Sequence, residues 1–577
     1  MKPANLFRRA GAFTLFALAL TTFMPTPARA EAVPSSKVLP DDVYFYFSVP
    51  SVQELKARWS KTSFGQIQND PAFNEFNGQI KELMDKAGRE FEQQTKMKIQ
   101  DLLDVPTGEV AFSVIKPPQG ALALVGFLDF GKSEDMVDQL LAKLEDVLKE
   151  ENADRKVQEF KNTRIVVYKM PGADQQQGPI KPGFSYFVKD TQFVVSSEVS
   201  ALESVLNNWD GQGQRTFANN RIFDAIMRKC KSDNEKPVFQ YFFDPIGTLK
   251  AGMSAFGGEN QQAMMVMNLV LPLSGLNDFR GMGGTVDWAT GGYETVSKSM
   301  LYVNQPPQGL LNLFLFPAAD LSPPPWVGEN TQTYMGVNWD LEAAYDAIES
   351  MVDQFRGAGT LEGMIDNIAN EPGGPGIHIK KDIVDQLSGR FHLSMLGVDN
   401  LEQEVPKFLA SVGVRNTKTM QDLLAKVIKN QNAPVKTRDF RGETIMEIEE
   451  GNAKFSLSVF NNAIVFTTDA SLLEGVIRGD RTQKPLADSA AYRQMSKTIP
   501  AKTSMLTFQD TEGQIKPIYE AARQGKLGNA DIPPEAKTLL ESLPPFEAVK
   551  KYLPVTVGYT IPDENGVFST SISQTKN

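Results

Sequence analysis

The chain has 577 residues, of which 59 are basic and 70 acidic, a net charge of −11, and a single cysteine, Cys230. This acidic balance argues against nucleic acid and anionic lipid surfaces as partners of the molecule as a whole. One cysteine excludes an internal disulfide, and a chain of this length can bury sizeable cores without one.

The first thirty residues predict a secretory signal peptide. Lys2, Arg8 and Arg9 form a basic start, an apolar run occupies 11–23, and a small-x-small site ends at Ala30. The apolar run is shorter than the ~20 residues that a spanning helix needs. We therefore expect cleavage after Ala30, which leaves 55 basic against 70 acidic residues, and a location in the periplasm or outside the cell.

Segments typical of strands and helices alternate along the first half of the chain. An aromatic strand at 43–50 precedes a helix that Ser51 caps, since serine is favoured at helix N-caps. A hairpin at 284–303, turning on Gly291 and Gly292, closes this half. Between them we expect strands in EVAFSVI, ALALVGFLDF, TRIVVYKM, FSYFVKD/TQFVVSS and VFQYFFD, and helices at 134–149, 199–207 and 219–229.

The second half repeats this pattern about 270 residues later. Residues 184–206 align with 455–477 without a gap, and upstream Gly108 faces Gly389. Consecutive strands joined by tight turns are antiparallel, and helices inserted between them can cover one face. The predicted fold class is α+β, with two tandem copies of one domain, each a mainly antiparallel sheet with helices packed on one face. The predicted parts are a signal peptide (1–30), domain 1 (31–305), a Pro-rich linker (306–330) and domain 2 (331–577).

One string matches the phosphate-loop pattern, GFLDFGKS at 126–133. Such a loop needs compact residues whose N–H groups surround a phosphate, whereas Phe127 and Phe130 continue the apolar alternation of a strand. The second half lacks the Gly-Lys pair. We therefore expect both phenylalanines in a core and Ser133 at a helix N-cap, with no nucleotide cofactor.

Hydrolase signals are weak. GMSAFG at 252–257 resembles a nucleophile elbow with one residue too many before its last glycine. The only histidines, His378 and His392, are more typical of surface or structural positions than of a catalytic base. Two histidines and one cysteine also give no pattern of metal ligands. Neither catalytic, metal nor cofactor residues are predicted, although a pair of dispersed carboxylates would leave no sequence signal.

A methionine-rich stretch at 261–276 is the candidate apolar surface. A helix packed across the sheet of its own domain is the favoured explanation of the stretch, because the second half carries an apolar helix at 533–549 without methionines. Methionine is adaptable enough to receive varied partners or lipid tails. The residues proposed to form a ligand or partner surface are Met253, Met264, Met265, Met267 and Leu271.

The segment at 39–73 carries a recognisable opening. It has an LPxD start, an aromatic strand, a Val-Pro-Ser helix start, a Lys-Thr-x-x-Gly-Gln turn and an Asp-Pro pair. These features resemble the start of an exported bacterial family known as domain of unknown function thirty-three fifty-two. The resemblance implies export and a similar order of strands and helices, and it implies no activity.

Three functions are compatible with these patterns. The first is a soluble, exported, non-catalytic envelope protein that acts by binding or scaffolding, because no chemical motif recurs in both halves. The second is a carrier or chaperone for an apolar ligand such as a lipid, and the third is an enzyme that uses dispersed carboxylates. The expected partner is an unknown envelope protein or an apolar ligand, with no nucleic acid and no transmembrane segment after signal cleavage.

Overall fold

The computed structural model describes residues 32–95, 98–117, 122–172, 180, 183–211, 213–255, 261–371, 374, 376–397, 407–431, 435–450, 453–479, 484–526 and 533–575. By their packing, these residues divide into two compact units. Unit 1 contains the chain up to Met265 together with Arg280–Gly291 and Pro533–Leu543. Unit 2 contains Val266–Phe279, Gly292–Ile532 and Pro544–Asn577.

Nine strands and their helices build unit 1. The strands are β1 (Val43–Val49), β2 (Val110–Ile115), β3 (Ala123–Asp129), β4 (Asp154–Phe160), β5 (Thr163–Lys169), β6 (Phe184–Lys189), β7 (Gln192–Ser196), β8 (Phe239–Phe243) and β9 (Phe279–Thr290). The helices are α1 (Ser35–Val38), α2 (Val52–Trp59), α3 (Ser63–Ile67), α4 (Asn74–Thr95), α5 (Ile99–Asp104), α6 (Glu134–Glu150), α7 (Val199–Asn207), α8 (Arg221–Lys229) and α9 (Pro245–Ala255). Helix α10 (Gln261–Leu273) follows, at the point where the chain passes to unit 2.

The strands of unit 1 form one antiparallel sheet in the order β4-β5-β6-β7-β3-β2-β1-β8-β9. Strand β1 lies inside the sheet between β2 and β8, and alternate side chains along it point to opposite faces of the sheet. Tyr46 and Ser48 are buried on one face, while Phe47 on the other face is exposed. The chemistry of the two faces therefore differs.

Unit 2 contains the remaining strands and helices. The strands are β10 (Tyr293–Val303), β11 (Thr331–Asn338), β12 (Leu387–Leu396), β13 (Phe408–Val414), β14 (Val435–Phe440), β15 (Glu443–Glu450), β16 (Ala453–Phe460), β17 (Ala463–Thr467), β18 (Met505–Asp510), β19 (Pro554–Asp563) and β20 (Gly566–Thr575). The helices are α11 (Leu341–Arg356), α12 (Thr360–Asn370), α13 (Thr417–Gln431), α14 (Ala470–Arg478), α15 (Ala490–Ser496), α16 (Thr511–Arg523) and α18 (Phe546–Val549), while α17 (Pro534–Glu541) belongs to unit 1.

The sheet of unit 2 has the order β14-β15-β16-β17-β13-β12-β11-β18-β19-β20-β10, again antiparallel throughout. Adding ten to each strand number of unit 1 reproduces this order from β14 to β19. The antiparallel sheets and the many helices confirm the predicted α+β class.

Helices cover both faces of each sheet, so the prediction that they pack on one face is wrong. In unit 1, α6 packs through Leu141 and Leu148 against Tyr186 and Val195. On the opposite face, Phe223 of α8 contacts the ring of Tyr46 at 5.7 Å. In unit 2, α13 and α14 likewise pack against opposite faces of β16. The strands are apolar on both sides, and each side therefore needs its own cover.

Many elements follow the sequence pattern, while the helices α4, α11 and α12 and two polar strands at sheet edges were not predicted. Ser51 caps α2 by accepting the N–H of Glu54 at 3.2 Å, as predicted. Strands β4 and β14 were not predicted, because they lie at the edges and expose charged side chains in place of an apolar alternation.

The segment predicted as a linker is packed within unit 2. Leu321 and Val327 are buried in a core with Tyr334, Leu486 and Phe508. Two isolated bridges, Ala319 with Thr503 and Gly328 with Pro485, fix this segment along its length. The predicted domain boundaries stay a prediction, while packing assigns 292–305 to unit 2 and 533–543 to unit 1.

Candidate functional site

The methionine-rich stretch forms a helix, but its proposed surface residues do not share one environment. In α10, Met267 and Leu271 are buried, whereas Met265 is 74% exposed. Met253, in α9, is partly buried, and the side chain of Met264 lies outside the described part of the chain. The stretch thus combines core residues with at least one exposed methionine.

The phosphate-loop match is a strand end. Phe127 and Phe130 are both buried, as predicted, and α6 begins directly after Ser133. The hydroxyl of Ser133 does not cap the helix. The Asp129 carboxylate accepts the N–H of Gly131 at 3.0 Å, and Gly131 has a φ of +54°. The side chain of Asp129 thus stabilises the turn.

The nucleophile-elbow resemblance also fails on geometry. Gly252 and Met253 lie inside α9, not at a sharp turn between a strand and a helix. Residues 256–257 of that motif lie outside the described residues. The motif therefore has no elbow where the chain is described.

The two histidines are held in separate places in unit 2. His378 contacts the carboxylate of Asp366 through Nδ1 at 2.8 Å. His392, on β12, lies with Nδ1 2.9 Å from the buried hydroxyl of Tyr334. Burial, with a smaller effect of Arg390, lowers the pKa of His392 to about 4. This imidazole is neutral at pH 7 and serves a buried hydrogen bond.

A carboxylate is buried at the centre of unit 1. Glu109 accepts the backbone N–H and the hydroxyl of Ser35, both at 2.7 Å, the hydroxyl of Ser48 at 2.6 Å and that of Tyr46 at 3.2 Å. Burial, and then the Glu109 charge, raises the pKa of Tyr46 far above its ordinary value. The four donors satisfy the charge and fix α1 onto the sheet, so this cluster stabilises the fold.

The other face of the same strands carries half-exposed aromatic side chains. Phe47 on β1 lies opposite Phe112 on β2 and opposite Tyr241 on β8. Phe243 on β8 lies opposite Met282 on β9. We call the surface formed by Phe47, Phe112, Tyr241, Phe243 and Met282, together with Phe45, the aromatic face.

Among the described residues, helices flank the aromatic face and leave its centre partly exposed. Helix α2 packs over one end, where Val52 and Leu55 contact Phe239 and Trp288. Helix α6 packs beside Phe193, further along the sheet. Between them, Phe47, Phe112 and Met282 remain 36%, 41% and 39% exposed. Adjacent exposed apolar side chains of this size are typical of interaction surfaces.

Aromatic contacts continue from this surface to two tryptophans. The ring of Phe47 stacks on Phe239 at 5.6 Å, Phe239 meets Trp288 at 5.0 Å, and Trp288 lies 5.5 Å from Trp59. The indole N–H of Trp59 is buried and has no hydrogen-bond partner among the described residues. The fluorescence of Trp288 would therefore report on events at the aromatic face.

The equivalent face in unit 2 is apolar on β11 and β12, where Met335 and Leu393 correspond to Phe47 and Phe112, and hydroxylic on β18 and β19. Equivalence follows from register, because Tyr46 lies opposite Ser113 and Phe242, and Tyr334 lies opposite Ser394 and Phe508. By that register, Tyr241 corresponds to Thr507 and Met282 to Thr556. A cavity of about 180 Å³ lies over this hydroxyl face, whose side chains include Ser297, Ser299, Thr507, Thr560, Ser569 and Ser571.

The sequence predicted a strand in VFQYFFD but not the surface that its Phe239, Tyr241 and Phe243 join. The missing information is the pairing of β1 with β2 and β8, which are distant in sequence. Among the described residues, no group of three metal-ligating side chains lies together. In the part of the chain that the structure describes, no helix has the length and apolar content needed to cross a bilayer.

These features define a class of protein: an antiparallel α+β protein of two units, with a half-exposed aromatic surface on unit 1 and a hydroxyl-lined cavity on unit 2. Residues 346–544 match the model of a family described as protein of unknown function (DUF3352), which confirms the resemblance seen in the sequence. This match lies within the second half of the chain and carries no activity. No curated protein and no solved structure matches the chain.

Proposed function

We propose that this chain is an exported, non-catalytic binding protein of the bacterial cell envelope, and that the aromatic face of unit 1 is its binding surface. The observation that carries the proposal is the exposure of Phe47 and Phe112 side by side on paired strands, with Met282 also exposed on the same face two strands away. Leaving this much apolar surface in water forgoes the ~25 cal/mol per Å² that burial would contribute. A bound partner or ligand would recover that free energy.

Export and duplication are parts of the same proposal. The basic start, the apolar run and the site at Ala30 support secretion by a cleaved signal peptide. The nine strands of unit 1 and nine of the strands of unit 2 follow the same order, which supports descent of the two units from one domain. The matching pairing of a tyrosine with a serine and a phenylalanine on β1 and β11 supports the same conclusion. After duplication, the two copies could diverge at single positions of this face, as at Tyr241 and Thr507.

A binding role is favoured over a catalytic one by the placement of the reactive groups. His392 hydrogen-bonds to a buried tyrosine, and Glu109 is enclosed by four donors. Neither side chain belongs to the aromatic face. A carrier of an apolar ligand is the second candidate, because a partly exposed aromatic surface between two flanking helices suits a lipid chain as well as a protein.

Site-specific photocrosslinking tests this proposal. A photoreactive phenylalanine analogue replaces Phe112 in the mature protein, and a matched variant carries it at Phe355, an exposed phenylalanine of α11 in unit 2. In envelope fractions we expect a discrete protein or lipid adduct at position 112 and none at position 355. The same adducts at both positions, or none at either, would refute the proposal.

A further inference from the structure

The aromatic face is bordered at one end by basic side chains. Lys116 follows Phe112 and Val114 at every second position, and exposure alternates along this segment. Arg280 precedes Met282 in the same way on β9. Because β2 and β9 run in opposite directions, the C-terminal end of β2 and the N-terminal end of β9 lie at the same edge of the sheet.

We propose that the aromatic face binds the acyl chain of a long-chain fatty acid, with the carboxylate at the edge marked by Lys116 and Arg280. This proposal rests on the proposed function and names the ligand of that surface. The surface has an apolar floor and cations at one end, which is the charge pattern that an anionic amphiphile complements.

The dimensions of the surface suit an extended chain. A strand rises about 3.3 Å per residue, so the distance from Arg280 to Val286 along β9 is about 20 Å. Aromatic side chains supply most of the floor over that length, and α2 closes the far end through Phe239 and Trp288. A glycan fits less well, since its hydroxyls would meet few polar side chains on this floor.

Two carboxylates also lie at the basic edge. Asp244 accepts the N–H of Gly247 at 2.7 Å at the start of α9, and Arg280 lies near it. Asp42 lies near the hydroxyl of Tyr44. Asp244 is therefore engaged at the start of α9, and Asp42 lies across from Lys116, whose backbone N–H donates to the Asp42 carbonyl at 3.0 Å. The acidic net charge of the chain acts weakly over longer distances, because exposed charges are screened beyond about 8 Å at physiological ionic strength.

Tryptophan quenching tests the proposal directly. Delipidated mature protein is titrated with a bromine-labelled stearic acid, which quenches nearby tryptophans. We expect saturable quenching that is largely lost in Trp288→Phe and abolished in Phe112→Asp. Phe355→Asp, in unit 2, is the matched control and should bind normally. Circular dichroism confirms that each variant is folded, and Phe112→Ser replaces Phe112→Asp if the latter is not.

A second experiment tests the site of the carboxylate with the double variant Lys116→Gln, Arg280→Gln. We expect affinity for the brominated acid to fall about tenfold, with no change for its neutral methyl ester. Arg390→Gln, an exposed cation of unit 2, is the control. Equal affinity of the wild-type protein for acid and ester would overturn the proposal, as would quenching that survives Phe112→Asp.

A third arm separates a free fatty acid from a membrane surface. Quenching by vesicles of brominated anionic phospholipid, without quenching by the fatty acid, would also overturn the proposal. If the fatty acid fails while photocrosslinking at position 112 captures a protein partner, the ligand assignment is wrong and the proposed function stands. If both experiments fail, both proposals are wrong.

Discussion

The aromatic face of unit 1 and the hydroxyl face of unit 2 lie on sheets of the same strand order, and they coincide in register only on β18 and β19. Phe47, Tyr241 and Met282 in one unit correspond to Met335, Thr507 and Thr556 in the other. Backbone pairing fixes the order of the strands without constraining outward side chains. One topology therefore supports two surfaces that differ in composition, most clearly at Tyr241 and Met282, where unit 2 has threonines.

The buried faces differ in a more restricted way. Both sheets centre on a buried tyrosine opposite a serine and a phenylalanine, but the hydroxyl of Tyr46 meets Glu109, whereas that of Tyr334 donates to the carbonyl of Leu321 at 2.8 Å. The position of Glu109 corresponds to that of Arg390, and Ala111 to His392. Each tyrosine keeps its place and acquires a different partner.

The largest expected effect comes from removing the buried carboxylate of unit 1. Glu109→Ala leaves three hydroxyls and one backbone N–H without their acceptor, and we expect a loss of about 3–5 kcal/mol in the free energy of unfolding. The matched change in unit 2, Arg390→Ala, removes an exposed side chain and should alter stability by less than about 0.5 kcal/mol. Denaturant unfolding of both variants measures the contrast, and equal losses would show that the two positions are not as different as their burial indicates.

The second effect depends on pH and is specific to unit 2. His392 has a native pKa of about 4, below the ~6.5 of an unfolded chain, so only the unfolded state binds a proton between these values. Stability should therefore fall as the pH drops from about 6.5 towards 4, by up to about 3 kcal/mol from this group. Denaturant midpoints at pH 7 and pH 4.5 should differ less in His392→Gln than in the wild-type protein. An identical pH dependence in both would mean that the imidazole titrates normally.

The third effect compares the two central hydroxyls. Tyr334→Phe removes the bonds to Leu321 and His392 and should cost about 1–2 kcal/mol, while Tyr46→Phe, which leaves Glu109 three other donors, should cost about 1 kcal/mol. Thermal or chemical unfolding of the pair measures this difference. A loss in Tyr46→Phe that approaches the loss in Glu109→Ala would mean that the tyrosine, not the serines, holds the carboxylate.

The smallest effect on stability concerns the outer faces. Phe112→Ser should change the free energy of unfolding by about 1 kcal/mol or less, because the ring is half exposed, and Ser571→Ala by less than about 0.5 kcal/mol. Binding of an apolar fluorescent dye should fall only in Phe112→Ser. Dye binding that is unaffected by Phe112→Ser would place the apolar surface elsewhere.

The sequence by itself determined much of the local structure. The alternation in VYFYFSVP and VFQYFFD predicted strands, Ser51 predicted a helix start, and the apolar residues of 126–133 predicted a strand end in place of a phosphate loop. Each of these signals is carried by residues close together in the chain, so periodicity and capping preferences suffice. The edge strands β4 and β14 were not predicted, because a strand with little buried surface lacks the alternation of apolar and polar residues that identifies a strand in a sequence.

Only the tertiary structure decided which residues meet. Phe47 faces Phe112 and Tyr241 because strands far apart in sequence pair in one register, and Glu109 reaches Ser35 across 74 positions of the chain. The exposure of Met265 and the burial of Met267, two positions apart on one helix, likewise depend on what packs against α10. Local composition sets which segments are apolar, while long-range pairing determines which apolar side chains are covered and which remain exposed to solvent.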